Sequence, residues 1–94
     1  LREDLEIQNP GIDIAAFKAL KQILSKEVME VKDYDGIKLI CSDKSWLMFR
    51  GSGTEPIIRV YAESKSLTKS KKLLDLGKAM VLDLEKQLRI ECDR

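Results

Sequence analysis

Four β-rich runs separated by turn residues occupy the middle of the chain, and they restrict its fold more than any other feature. They are Val28-Met29-Glu30-Val31-Lys32-Asp33-Tyr34, Ile37-Lys38-Leu39-Ile40-Cys41, Trp46-Leu47-Met48-Phe49-Arg50 and Ile57-Ile58-Arg59-Val60-Tyr61-Ala62-Glu63. Asp35-Gly36 separates the first two, and both residue types accept the positive φ of a type I′ turn, so a hairpin is expected there. Ser42-Asp43-Lys44-Ser45 supplies a second turn, and a glycine-rich stretch beginning at Gly51 supplies a third. Consecutive strands joined by connections this short favour an antiparallel meander.

Helical patterns flank the strands. Asp13 is placed to cap a helix in which Phe17, Leu20, Ile23 and Leu24 recur at helical spacing, to about Lys26. Ser66 is placed to cap a longer one with apolar residues at Leu67, Leu73, Leu74, Met80, Val81, Leu84 and Leu88. Gly77 weakens that helix by about 1 kcal/mol relative to alanine, and marks either close packing or a bend. Pro10-Gly11 breaks the chain ahead of the first helix. Residues 1–12 therefore read as an interdomain linker or an edge strand, and 13–94 as a C-terminal domain. The expected fold is α+β: a two-layer sandwich with a four-stranded, mainly antiparallel sheet and two helices on one face.

Composition narrows the function. The 94 residues suit one small domain with a modest core. Seventeen Lys plus Arg against sixteen Asp plus Glu give a net charge of +1, without the basic excess of a nucleic-acid binder. No apolar run reaches the ~20 residues of a membrane helix. There is no histidine, which removes Ser-His-Asp and Cys-His catalysis and histidine-ligated metals. Cys41 and Cys92 lack the C-x-x-C spacing of a zinc or redox site, and a reducing, cytoplasmic setting is expected. The chain opens at Leu1, with an acidic stretch unlike a signal peptide, so a piece of a longer protein is expected, although processing would give the same start.

The third turn carries the chemistry. In Arg50-Gly51-Ser52-Gly53-Thr54-Glu55-Pro56, paired glycines let a ligand approach the main chain, and successive N–H groups can form an anion nest. Ser52 and Thr54 add hydroxyl donors, and Arg50 brings a guanidinium fork suited to phosphate oxygens. Arg59, on the outgoing strand, either reaches the same anion or pairs with Glu55 or Glu63. A Ser-Gly-Thr connection between strands is more often only a turn. The spacing matches neither the P-loop nor the G-x-S-x-G nucleophile elbow.

The stretch from Trp46 to Glu63 resembles the C-terminal domain of the α-D-phosphohexomutases, the phosphoglucomutase and phosphomannomutase superfamily. The family pattern there is an arginine, one variable residue, Ser-Gly-Thr-Glu-Pro, then Arg-Val-Tyr and a glutamate, with Asp-Gly upstream as at Asp35-Gly36. The resemblance implies that Arg50, Ser52, Gly53 and Thr54 contact the substrate phosphate that is not being transferred, with Arg59 a secondary candidate. Gly51, Glu55 and Pro56 would order the loop; many relatives have proline in place of Gly51, which should leave this loop more mobile. It further implies a hexose phosphate as ligand (glucose or mannose 1- or 6-phosphate) and other domains of the same enzyme as partners. A phosphoserine and Mg²⁺ outside this chain would move phosphoryl between O1 and O6 through a bisphosphate. No catalytic residue and no metal ligand is expected here, and Ser52 has no base to make it a nucleophile.

Lys65, Lys69, Lys71 and Lys72 read as a solvated helix face, although a helix beside the loop could add long-range attraction for an anion. Trp46 and Phe49 read as core or sheet residues, and Met29, Met48 and Met80 as packing. The competing function class is a stand-alone α+β binding or interaction module in which Gly-Ser-Gly is an incidental turn.

Overall fold

A computed structural model describes residues 2–6, 14–51 and 57–92, apart from the side chains of 3, 85 and 87–92. Its strands are β1 (Arg2–Glu6), β2 (Gln22–Ile23), β3 (Lys26–Lys32), β4 (Ile37–Cys41), β5 (Trp46–Gly51) and β6 (Ile57–Glu63). A 3₁₀ helix, Ile14–Ala19, precedes β2, and the α-helix α1 (Leu67–Cys92) follows β6. The strands form one antiparallel sheet in the order β1-β6-β5-β4-β3-β2. Helix α1 lies over β5 and β6 and reaches β1, while the 3₁₀ helix covers β4.

Alternation along the strands decides which face is buried. Ile37, Leu39 and Cys41 on β4, Leu47 and Phe49 on β5, and Ile58, Val60 and Ala62 on β6 all turn towards the helices and are buried. Leu73, Leu74 and Val81 close the core from α1, and Phe17 closes it from the 3₁₀ helix, its ring 4.4 Å from that of Phe49. Buried Cys41 is a free thiol within this layer. On the other face, Trp46, Met48 and Tyr61 are half-buried, and the Lys38 ammonium lies 4.2 Å from the Trp46 ring centroid.

Among the described residues the sheet has six strands where four were expected, and one α-helix with a 3₁₀ helix where two helices were expected. The α+β class and the antiparallel meander stand. The expected first helix to about Lys26 is replaced by Ile14–Ala19, a turn, and β2. Phe17 and Ile23 are both buried as a helix would have buried them, but Ile23 gets there from a strand paired with Lys26. Four apolar residues over this length satisfy either geometry. Asp13, its expected cap, lies outside the described residues, as do Pro10 and Gly11.

The type I′ signature occurs at an unexpected place. Ile23 pairs with Lys26, so Leu24 and Ser25 form a two-residue connection, with φ values of 47° and 67°. At Asp35-Gly36 only Gly36 has positive φ, 89°, and the outermost recorded pair there is Lys32 with Lys38, so that hairpin has a longer loop. Neither leucine nor serine is a type I′ residue, and left-handed backbone costs such residues about 1–2 kcal/mol each. Leu24→Asn combined with Ser25→Gly should therefore raise stability by about 1–2 kcal/mol. A higher urea midpoint at unchanged m would show it.

Helix α1 starts as the sequence indicates: the Lys69 N–H donates to Ser66 Oγ (3.3 Å) as an N-cap. Gly77 marks close packing, since a Cβ there would lie 2.7 Å from Val60 Cγ1 and 2.9 Å from Leu47 Cδ1. Leu67, by contrast, is exposed in the first turn, outside the buried stripe of Leu73, Gly77 and Val81. Met29 is also no packing residue: a register shift between Val28 and Glu30 makes it the extra residue of a bulge, and it is 63% exposed. Met80 does pack against the core.

Lys18 Nζ donates to Asp33 Oδ2 at 2.9 Å, tying the 3₁₀ helix to the end of β3. This hydrogen bond, and then the lysine's charge, hold the Asp33 carboxyl below its ordinary value. A carboxylate lowered in the folded state stabilises above its unfolded pKa of about 3.9 and loses that contribution as pH falls through the folded value. Lys18→Met should move the Asp33 carboxyl titration, followed by carbon NMR, upwards towards the ordinary range.

Candidate functional site

The loop singled out by the sequence joins β5 to β6. In that hairpin Phe49 pairs with Val60, Arg50 with Arg59 and Gly51 with Ile58. Ser52, Gly53, Thr54, Glu55 and Pro56 lie outside the described residues. Phe49 and Val60 are buried on the helix-covered face, so the next pair along, Arg50 and Arg59, is directed to the opposite face. The two guanidinium side chains thus leave the sheet on the same side, directly opposite one another, at the mouth of the loop.

Like charges facing across a strand pair repel. Here each arginine has a carboxylate from a separate element. Arg50 Nε lies 3.5 Å from Asp35 Oδ1 in the β3–β4 turn. Arg59 Nε lies 3.7 Å from Asp4 Oδ2 on β1, which also has Arg2 Nε 3.6 Å from its other oxygen. Arg59 was expected to reach the anion or to pair with Glu55 or Glu63; among the described residues its ion pair is with Asp4, and Glu55 lies outside them. Arg59 Nε is buried and makes no hydrogen bond among the described residues. Arg50 is thus drawn towards the β3–β4 turn and Arg59 towards β1, and both guanidiniums carry N–H donors of the kind that bind oxyanions.

The main chain below Arg50 is fixed from the side. A Cβ on Gly36 would sit 2.3 Å from the Phe49 carbonyl oxygen and 3.2 Å from Arg50 Cα, so the β3–β4 turn is pressed against β5 where the loop begins. Gly51 has open space about its Cα, and β5 extends through it. A hollow of about 200 Å³, bounded by Lys32, Tyr34, Asp35, Lys38 and Met48, shares Asp35 with the Arg50 bridge.

The lysine-rich start of α1 is not beside the loop. Trp46 pairs with Glu63 at the far end of the β5–β6 hairpin, and α1 begins just beyond Glu63. At about 3.3 Å per residue, β6 sets the two ends about 20 Å apart. Lys69 pairs instead with Asp43 of the β4–β5 turn, whose Oδ1 accepts from the Ser45 N–H (3.1 Å) and Oγ (2.5 Å). A larger hollow, about 450 Å³, lies at that end among Leu24, Ser25, Ser66, Thr68, Lys69 and Lys72. The candidate site is the arginine pair, because the hollow by α1 shares no residue with Arg50, Arg59 or their carboxylate partners. Among the described residues no three His, Cys, Asp or Glu side chains gather as a metal site, and no helix is long and apolar enough to cross a membrane.

Asp4 and Asp35 are the residues that sequence reasoning missed. The first lay in a stretch left between linker and strand; the second was read only for its turn. The neighbouring Gly36 was the available signal, since Asp-Gly marks the turn that abuts Arg50.

Residues 5–82 match the family model described as phosphoglucomutase/phosphomannomutase, C-terminal domain. A phosphoglucomutase/phosphomannomutase of Thermococcus kodakarensis is 45% identical over 64 residues, covering 61% of this chain and 14% of that protein. A phosphopentomutase of the same organism is 33% identical over 77% of this chain and 16% of its own length. A phosphoglucosamine/phosphogalactosamine mutase of Sulfurisphaera tokodaii is 34% identical, again over 77% of this chain and 16% of its own length. The chain thus spans about one-seventh of the length of these relatives.

Proposed function

The chain belongs to the phosphoglucomutase/phosphomannomutase family, through that family's C-terminal domain, and from this premise we propose that it grips the non-transferred phosphate in a sugar-phosphate mutase. The observation that carries this reading is the register that sets Arg50 opposite Arg59, one pair inside Gly51 and Ile58 at the end of the β5–β6 hairpin. In this role Arg50 gives charge-assisted hydrogen bonds, Ser52 and Thr54 give hydroxyl donors, Gly53 lets the main chain approach, and Arg59 adds positive potential from the next strand. Gly51, Glu55 and Pro56 shape the connection.

The names of the relatives support a site that reads phosphate. They act on phosphorylated glucose or mannose, on a phosphorylated pentose, and on phosphorylated glucosamine or galactosamine. What those names share is the phosphate, and the described residues at the loop offer donors for oxyanions. Such a grip serves a substrate that turns over between half-reactions, because either end of the sugar then presents the same group.

The parent enzyme is a mutase, an isomerase moving phosphoryl between O1 and O6 of a hexose phosphate through a bisphosphate. Phosphoserine and Mg²⁺ in other domains supply that transfer. The present residues hold and orient, and they help exclude water as the cleft closes. Alone, the chain does not catalyse. The setting is cytoplasmic, with neither nucleic acid nor membrane as partner.

Titration of the chain with inorganic phosphate or glucose 6-phosphate tests the reading. Amide signals of Gly51 to Thr54 should shift saturably, with an affinity near millimolar, about 4 kcal/mol, since most of the substrate surface is elsewhere. An incidental turn in a stand-alone module would show no saturable shift at these positions.

A further inference from the structure

Nothing in the family pattern explains why a carboxylate should stand beside an arginine meant for an anion. The Asp35–Arg50 pair is exposed on both sides, 64% and 47%, so as an ion pair it adds little to the fold. Its charge has the wrong sign to attract phosphate. Yet the same dipeptide supports Arg50 twice: Gly36 abuts the backbone of Phe49 and Arg50, and Asp35 meets the side chain.

We propose that Asp35 is a positioning residue for Arg50, holding its guanidinium at Nε so that Nη1 and Nη2 face the bound anion. A free arginine side chain loses rotamer freedom whenever it binds, and one already held loses less. Contact at Nε is what such a device requires, because it leaves the end-on pair of nitrogens for the two oxygens of a phosphate. Arg59 repeats the arrangement on the neighbouring strand, with Asp4 near its Nε. Two carboxylates from separate elements thus flank the arginine pair, one on each outer side.

This inference rests on the reading of Arg50 as a phosphate ligand, and its test separates the two. The 94-residue chain is titrated with inorganic phosphate as wild type, Asp35→Asn, Asp35→Glu and Arg50→Ala, following backbone amides and the Arg50 Nε–Hε resonance. Electrostatics alone predicts that Asp35→Asn binds phosphate more tightly, since a negative charge has gone. Positioning predicts the opposite: binding weakened about 5- to 10-fold, an Arg50 Nε–Hε signal shifted and broadened before phosphate is added, and partial recovery in Asp35→Glu. Asp35→Ser serves the same comparison if asparagine perturbs the turn, and an unchanged amide pattern elsewhere reports the intact fold. Equal or tighter binding by Asp35→Asn overturns the positioning role while leaving Arg50 as the ligand. Arg50→Ala binding phosphate as well as wild type overturns both.

Discussion

Arg50→Ala in the full-length enzyme should lower kcat/KM for its sugar phosphates by about 10²- to 10³-fold. The magnitude follows from the number of bonds. A hydrogen bond to a charged group contributes about 1.5–3 kcal/mol, and a bidentate grip loses two, giving about 3–4 kcal/mol after partial compensation by water and Arg59. The fold should survive, because the Arg50 side chain is half exposed and its neighbours Phe49 and Val60 carry the packing. On the proposed mechanism the loss should appear for both the 1- and the 6-phosphate, since each would occupy the same grip in turn. Phosphorylation of a catalytic serine should be spared, because the proposed function puts that serine in another domain. Arg50→Lys should recover only part of the loss: the charge returns, but the fork does not. Steady-state kinetics with both substrates, alongside thermal melting of each variant, checks the prediction. A uniform loss of both stability and activity would place Arg50 in the fold instead of the site.

How much of this was legible in the sequence depends on where side chains meet their constraints. The four strands from β3 to β6 were legible because each is a β-rich run of five to seven residues followed at once by Asp or Ser, at Asp33, Ser42, Ser52 and Ser64. The Ser66 cap was legible because capping is local. Strand β2 was not: it has two residues and a Leu-Ser turn, and what holds it is its pairing with β3. Strand β1 reads Arg-Glu-Asp-Leu-Glu, with charges like those of a linker, yet Leu5 packs against the core and the segment pairs with β6. Charged residues on an edge strand guard against further pairing, so edge and linker look alike. The same gap hid half of the site. Arg50 and Arg59 were legible as residues, but their apposition needed the β5–β6 register. Asp4 and Asp35 needed the sheet itself, because Asp4 comes to Arg59 from the far end of the chain.

Gly36 offers the largest expected effect on the fold, and it couples fold to site. Any side chain there meets two separate obstacles. Its φ of +89° costs a non-glycine residue about 1–3 kcal/mol. A Cβ would also lie 2.3 Å from the Phe49 carbonyl oxygen, a backbone atom that cannot rotate away, so the turn or β5 must move at a further cost of about 1–3 kcal/mol. Gly36→Ala should therefore destabilise by about 3–5 kcal/mol, much of the net stability of a small domain, with Gly36→Val worse. Gly51 gives the internal comparison: among the described residues nothing lies within 4 Å of a Cβ there, so Gly51→Ala should be neutral or stabilising by up to about 1 kcal/mol. Urea unfolding of both variants measures the contrast. Where Gly36→Ala stays folded at low temperature, its phosphate affinity should still fall, because the turn that carries Asp35 and the strand that carries Arg50 can no longer be in contact. Wild-type affinity in a destabilised but folded Gly36→Ala would mean that the turn supports the sheet and not the arginine.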